Sequence, residues 1–287
     1  MHISGFEHGG GVKSSHSKGF TLAEVLITLG IIGVVAAMTL PALIQNYQKQ
    51  VLVNQLKVNV SILENALGQI AEEAGGSLAY TSYGKSIEGS ATYNGSYFYP
   101  FYRDYLKKHL HIVKAVCASR TADDCPSGRL TENKYRWLIS QAGSGSQDFG
   151  GNSVALANGA YVAFNIEAPN RASTGADFRT YHCGATPHAD ISSMKTLCGS
   201  ITIDVSGEKG PNQIGYDMFN LLLDDRGHLW GHAGQQAMLA ILGTTEGNDY
   251  WKNSKYMCCS KKDSGCSWSQ GWGCSARVME SDWKIDY

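Results

Sequence analysis

Neither sign of charge dominates this chain: 24 Lys and Arg face 25 Asp and Glu, a formal net charge of −1. A duplex-binding protein normally presents a basic patch. The nearest one here, Lys107-Lys108-His109 continued by Lys114 and Arg120, reads as the solvated face of a helix, so no nucleic-acid partner is expected. Proline is scarce at six residues while glycine reaches 33, which points to many turns and long loops between short elements. Catalytic motifs are missing too: there is no Gly-x-Ser-x-Gly elbow, no His-Glu-x-x-His helix and no phosphate-binding glycine loop. His182, His188, His228 and His232, even set beside Ser192 or Asp225, form no recognisable nucleophile, base and orienting group, so no catalytic residue is assigned.

Two further absences are positional. No cysteine precedes Cys117; all eight (Cys117, Cys125, Cys183, Cys198, Cys258, Cys259, Cys266 and Cys274) lie in the later part of the chain. An even count confined to one side of a membrane anchor reads as a disulfide framework in an oxidising compartment. Zinc is the competing reading, but it favours Cys-x-x-Cys pairs, and there are none. Local pairing suggests Cys117–Cys125 and Cys183–Cys198, with the full connectivity left open. The second absence is charge between Val25 and Ile44, a run of about twenty residues, the length that spans a bilayer as a helix. Lys13 and Lys18 precede it, which places the first residues in the cytoplasm and the remainder outside.

Three kinds of segment share that pattern: a secretory signal cut near Val35-Ala36-Ala37, an uncleaved anchor, and a signal cut ahead of the apolar run. Glu24 separates them, because an ionisable residue near the mouth of a membrane helix is costly and needs a reason. Lys18-Gly19-Phe20-Thr21-Leu22-Ala23-Glu24-Val25-Leu26 resembles the prepilin cleavage and methylation motif of type IV pilins and type II secretion pseudopilins. The resemblance implies cleavage between Gly19 and Phe20 by a prepilin peptidase, methylation of the new Phe20 amine, and pairing of Glu24 with the amine of a neighbouring subunit during assembly. A buried carboxylate is tolerable when a cation partners it. The resemblance also implies an assembly role for Pro41, which stands where many such proteins carry a helix-kinking proline.

Beyond the apolar run, Val51, Leu52, Leu56, Val60, Leu63, Leu67, Ile70 and Ala74 recur at three- and four-residue spacing and make one apolar stripe, closed by Gly75-Gly76. Residues 77–96 read as a Ser-, Gly- and Tyr-rich connection, and Tyr97 to Val116 as a shorter second helix with Phe101, Tyr105, Leu106, Leu110 and Val113 on one face. The cluster Tyr97-Phe98-Tyr99-Phe101-Tyr102 reads as packing against the long helix, with a sugar-stacking platform as the rival. Strands are expected at Val154–Leu156 and Tyr161–Ile166 around the Asn158-Gly159 turn, at Ser200–Val205, and at Asp217–Leu223, which Asp225-Arg226-Gly227 turns toward His228-Leu229-Trp230.

The stretch from Asp204 to Asp217 resembles a loop that recurs in bacterial pilin-like proteins. Asp204, Glu208, Asn212 and Asp217 offer oxygens to Ca²⁺, although their spacing is not that of an EF-hand. The alternative is a loop held by Asx-type hydrogen bonds. No other cofactor is indicated.

The expected class is α+β: a long N-terminal helix, membrane-spanning in its first half, on an antiparallel sheet of four or five strands, with a disulfide-rich C-terminal extension. The expected divisions are a leader at 1–19, a membrane and assembly helix at 20–44, its periplasmic half at 45–76, a globular head at 77–242 and a Cys-, Trp- and Gly-rich region at 243–287. The implied partners are other pilins, a prepilin peptidase and the bacterial inner membrane, with the head in the periplasm or outside. A minor structural subunit is the leading expectation, and a ligand-binding tip adhesin or DNA-uptake pilin the second.

Overall fold

The computed structural model describes residues 19–82, 98–118, 122–132, 135–136, 138, 149, 151–165, 197–231, 258, 271 and 273–287. Two compact units divide between Tyr47 and Gln48. Helix α1, Leu22–Glu73, begins in the first unit and ends in the second. Gly75 and Gly76 close it at φ +99° and +101°, with Gly76 N–H donating back to the Ala71 carbonyl at 2.7 Å, a glycine-terminated C-cap.

The second unit packs its elements on the stripe of α1. Leu56, Leu63, Leu67 and Ile70 are fully buried, whereas Asn54, Val58, Ile62 and Gln69 on the opposite face are exposed. Helix α2 follows, built from α-helical Phe98–Phe101 and Lys107–His109 with a π-helical stretch, Tyr102–Leu106, between them. Phe98, Phe101 and Tyr102 are buried in the core, where Phe98 and Phe101 pack on Phe164 at 5.6 and 6.2 Å between ring centroids. The aromatic cluster is therefore packing. Tyr97 lies outside the described residues.

The second helix is shorter than expected. Leu110 turns extended (φ −125°, ψ 140°), and Ile112–Val116 is strand β1. Apolar residues at Leu106, Leu110 and Val113 fit helical spacing, but the β-branched Ile112, Val113 and Val116 favour a pleated strand, and a short apolar run does not distinguish the two. This strand raises the sheet to six: β1, β2 Ser153–Leu156, β3 Tyr161–Asn165, β4 Leu197–Asp204, β5 Met218–Asp224 and β6 Leu229–Gly231, antiparallel and in sequence order. The α+β layout of a long apolar helix with an antiparallel sheet is as read from the sequence.

Side chains alternate across that sheet. Val154, Val162, Phe164, Ile201, Ile203, Phe219, Leu221 and Leu223 face the α1 core. On the other face, Ala155, Ala163 and Met218 lie under Leu130, Tyr135, Phe149 and Ile214. Both faces are covered, so β2 is buried at all four positions. The C-terminal helix α3, Cys274–Glu280, packs on β5 and β6, and Val278 and Ile285 join the main core. Two disulfides join Cys117 to Cys125 and Cys258 to Cys274. Cys198 is also disulfide-bonded. Cys183, Cys259 and Cys266 lie outside the described residues.

The β5–β6 turn packs closely on α1 and on the segment that follows it. Leu229 N–H donates to Glu64 Oε1 at 2.9 Å, and Leu78 N–H donates to the Asp225 carbonyl at 2.7 Å. Gly227 has φ +90°, and a Cβ on it would sit 2.6 Å from Gly68 N and 2.9 Å from Leu67 Cβ. Gly227→Ala should therefore destabilise the fold by about 2–4 kcal/mol through overpacking and left-handed strain. A Cβ on Gly68 meets nothing nearer than the Arg226 carbonyl at 3.8 Å, so Gly68→Ala should be neutral or stabilising by up to about 1 kcal/mol. Denaturation midpoints of the two variants test this. Equal effects would contradict the contact.

Candidate functional site

The start of α1 is held by three hydrogen bonds between two side chains and the backbone. Glu24 N–H donates to Thr21 Oγ1 at 3.2 Å, while Thr21 N–H and Thr21 Oγ1–H donate to Glu24 Oε2 at 2.8 and 2.9 Å. This reciprocal arrangement is a capping box, with Thr21 as N-cap and Glu24 three residues on. It satisfies two of the amides that any helix start leaves without an intrahelical acceptor. The Thr-x-x-Glu spacing is legible in the sequence, but the role of Thr21 emerges only once the helix start is placed at Leu22. Gly19 and Phe20, on either side of the expected cut, are exposed, Phe20 at 88%.

From Phe20 to Ile44 the polar side chains are Thr21, Glu24, Thr28 and Thr39, and each is hydrogen-bonded within its own helix. Thr28 Oγ1 donates to the Val25 carbonyl and Thr39 Oγ1 to the Val35 carbonyl, both at 3.0 Å. The segment thus offers a hydrocarbon surface with no hydroxyl left over, which suits a lipid environment where unpaired polar groups are costly. Leu26, Ile27, Leu29, Ile32 and Met38 are all at least 60% exposed. Among the described residues α1 is the one helix long and apolar enough to cross a membrane. It stays helical on both sides of Pro41, although proline supplies no backbone donor there.

A second polar centre lies in the head, at the loop that joins β4 to β5. Asp204 Oδ1 accepts from Ser206 and Gly207 N–H, each at 2.9 Å, and Oδ2 accepts from the Tyr135 hydroxyl at 2.5 Å. Asp217 accepts from Asn212 N–H at 2.7 Å and Gln213 N–H at 2.6 Å. The Tyr135 hydroxyl and these four amides are all hydrogen-bond donors, as in an Asx-held loop, whereas calcium needs a shell of oxygen lone pairs. Of the other calcium candidates, Glu208 accepts from the Tyr161 hydroxyl at 3.0 Å, and Asn212 takes φ 57° at the loop's tight bend. Among the described residues no three His, Cys, Asp or Glu side chains are grouped to hold a metal ion. Burial, and then the neighbouring Asp217, pushes Asp204 up to about 7; burial also raises Asp217. Tyr161 is pushed up to about 12, first by burial and then by Glu208. Tyr135, from far outside the loop sequence, gave no sign in the sequence of belonging to it.

The remaining residues considered for chemistry do not converge. His228 is exposed, and its backbone N–H donates to Asp224 Oδ1 at 2.8 Å; Asp225 Oδ2 accepts from the Ser77 hydroxyl at 3.2 Å. His182, His188, His232 and Ser192 lie outside the described residues. Lys107 and Lys108 pair with Asp124 and Glu73 at 2.9 and 2.7 Å, so those two cations of the basic stretch are partnered.

Residues 14–40 match the family model described as the prokaryotic N-terminal methylation motif. No curated protein and no solved structure matches the chain. The chain carries the prepilin-type signature of type IV pilins and pseudopilins, and the capping box and exposed apolar surface lie within and beside it. The signature points to a structural subunit. If the capping box holds the first turn, Thr21→Ala should speed amide exchange at Glu24 about fivefold in micelles, the equivalent of a lost N-cap. Thr21→Ser should leave it unchanged. The same rate in all three chains would contradict the role.

Proposed function

We propose that this chain is a minor pilin or pseudopilin, cut by a prepilin peptidase between Gly19 and Phe20, N-methylated at Phe20, and assembled into a type IV pilus or a type II secretion pseudopilus. The observation that carries the reading is the coincidence, within residues 14–40, of the methylation signature with an apolar helical surface that the chain leaves exposed. Burial of each large apolar side chain is worth roughly 1.5–3 kcal/mol, so lipid or the helices of neighbouring subunits must cover it. The same surface serves both hosts, first as a single-pass inner-membrane anchor and then as the packing face of a filament. Glu24 supplies order: as a single carboxylate on that surface, it favours the register in which a neighbour's Phe20 amine lies beside it. The head, with its disulfides and a sheet covered on both faces, is large for a subunit repeated along a whole fibre, which favours a minor place in the filament.

Glu24→Ala tests the reading. The variant should insert into the inner membrane and be cleaved as the parent is, yet be lost from sheared filaments. Incorporation at the parental level would contradict a pairing role for Glu24.

A further inference from the structure

Ser206 lies between two buried carboxylates and has one proton to give. Its Oγ is 3.1 Å from Asp204 Oδ1 and 2.8 Å from Asp217 Oδ2. A hydroxyl donates once, so with both aspartates ionised one of these contacts joins two oxygens with no hydrogen between them. Asp204 and Asp217 are fully buried, and among the described residues no ion pair reaches either. The titratable groups that face them are each other, Tyr135 from the facing segment, Tyr161 from β3 with its partner Glu208, and Tyr216 beside Asp217. None of these is a cation at neutral pH. Two like charges at one dry site cannot both be held cheaply.

We propose that Asp204, Ser206 and Asp217 form a proton-shared clasp that closes the β4–β5 loop while the pair holds one proton and loosens it when that proton is lost. With one carboxyl neutral, the hydrogens suffice for every contact: the protonated acid donates within the cluster and Ser206 donates to the carboxylate that remains. The two acids titrate as a unit. The clasp sits at the base of the loop, where Val205 N–H donates to the Asp217 carbonyl at 2.9 Å and Asp204 pairs with Met218 in the β4–β5 ladder. It therefore governs the whole segment from Val205 to Asp217. Burial raises both acids in the fold, and the neighbouring Asp217 adds to the rise of Asp204, up to about 7. A raised carboxyl binds its proton more tightly folded than unfolded, so stability is greatest below the ordinary carboxylate range. It declines as pH rises through that range to about 7, and is level above.

The test uses the full chain in detergent, with thermal midpoints recorded from about pH 5 to about pH 8. The parent should lose several degrees across this range. Asp204→Asn should flatten the slope, because its Oδ1 can keep the Ser206 and Gly207 amides while its Nδ2 donates to Tyr135. Ser206→Ala keeps both acids without their shared hydroxyl and should steepen the loss, which serves as the second readout should the amide variant fold poorly. A flat parental profile, or an unchanged slope in both variants, would overturn the clasp. So would a rise in the parental midpoint on adding calcium chloride at about pH 8, which would make the pair a cation site.

Discussion

A helical run of uncharged apolar residues that its own chain leaves exposed is the constraint on which the rest of this molecule depends. Between Val25 and Ile44 nothing but hydrocarbon and two self-bonded threonines faces outward. At roughly 1.5–3 kcal/mol per large side chain, the cost of leaving that surface in water outweighs the 5–15 kcal/mol or so that typically holds a domain folded. Such a segment requires a host, and the host defines the function. The start of the helix is arranged accordingly: Thr21 and Glu24 consume the first free amides between them, so the one acidic group of the run also serves the helix that carries it. Pairing of Glu24 with an amine from a neighbour would then exchange one hydrogen-bonded state for another, without leaving a bare carboxylate in between.

The same helix solves a different problem in the second unit. There its apolar residues narrow to a stripe, and Leu56, Leu63, Leu67 and Ile70 pack on the inner face of the sheet. Close approach to α1 is bought with glycine where Gly227 of the β5–β6 turn rests on the backbone of Leu67 and Gly68. The outer face of the sheet is closed by Tyr135, Phe149, Leu130 and Ile214. That covering buries Asp204 and removes it from water, so the acid on the polar side of β4 depends on donors from Tyr135 and from the Ser206-Gly207 turn. Packing on one face of the sheet thereby sets the chemistry at its rim.

Much of this was legible in the residues. The alternation in Ile201, Ile203, Phe219, Leu221 and Leu223 and the Asn-Gly turn located four strands, and the spacing of Leu56, Leu63, Leu67 and Ile70 located the packed half of α1. Ile112–Val116 was not legible as a strand, because apolar residues three and four apart preceded it and the β-branched signal within it is short. The second covered face was also hidden: it is built from Tyr135, Phe149 and Ile214, single apolar residues in loop-like sequence with no period. At the N-terminal site Gly19, Phe20 and Glu24 were readable as a motif. The role of Thr21 was encoded in its spacing to Glu24, but it gains meaning only when the helix start is seen. Asp204 and Asp217 read from the sequence as oxygens open to a cation, since a sequence lists acceptors without showing which donors reach them.

The central claim concerns what happens between Gly19 and Phe20, and the mass of the mature N-terminus reads it directly. The chain purified from the membranes of cells that possess a prepilin peptidase should begin at Phe20 with one additional methyl group on its amine. An intact leader through Gly19, or a chain that begins near Met38 after conventional signal cleavage, would contradict the account.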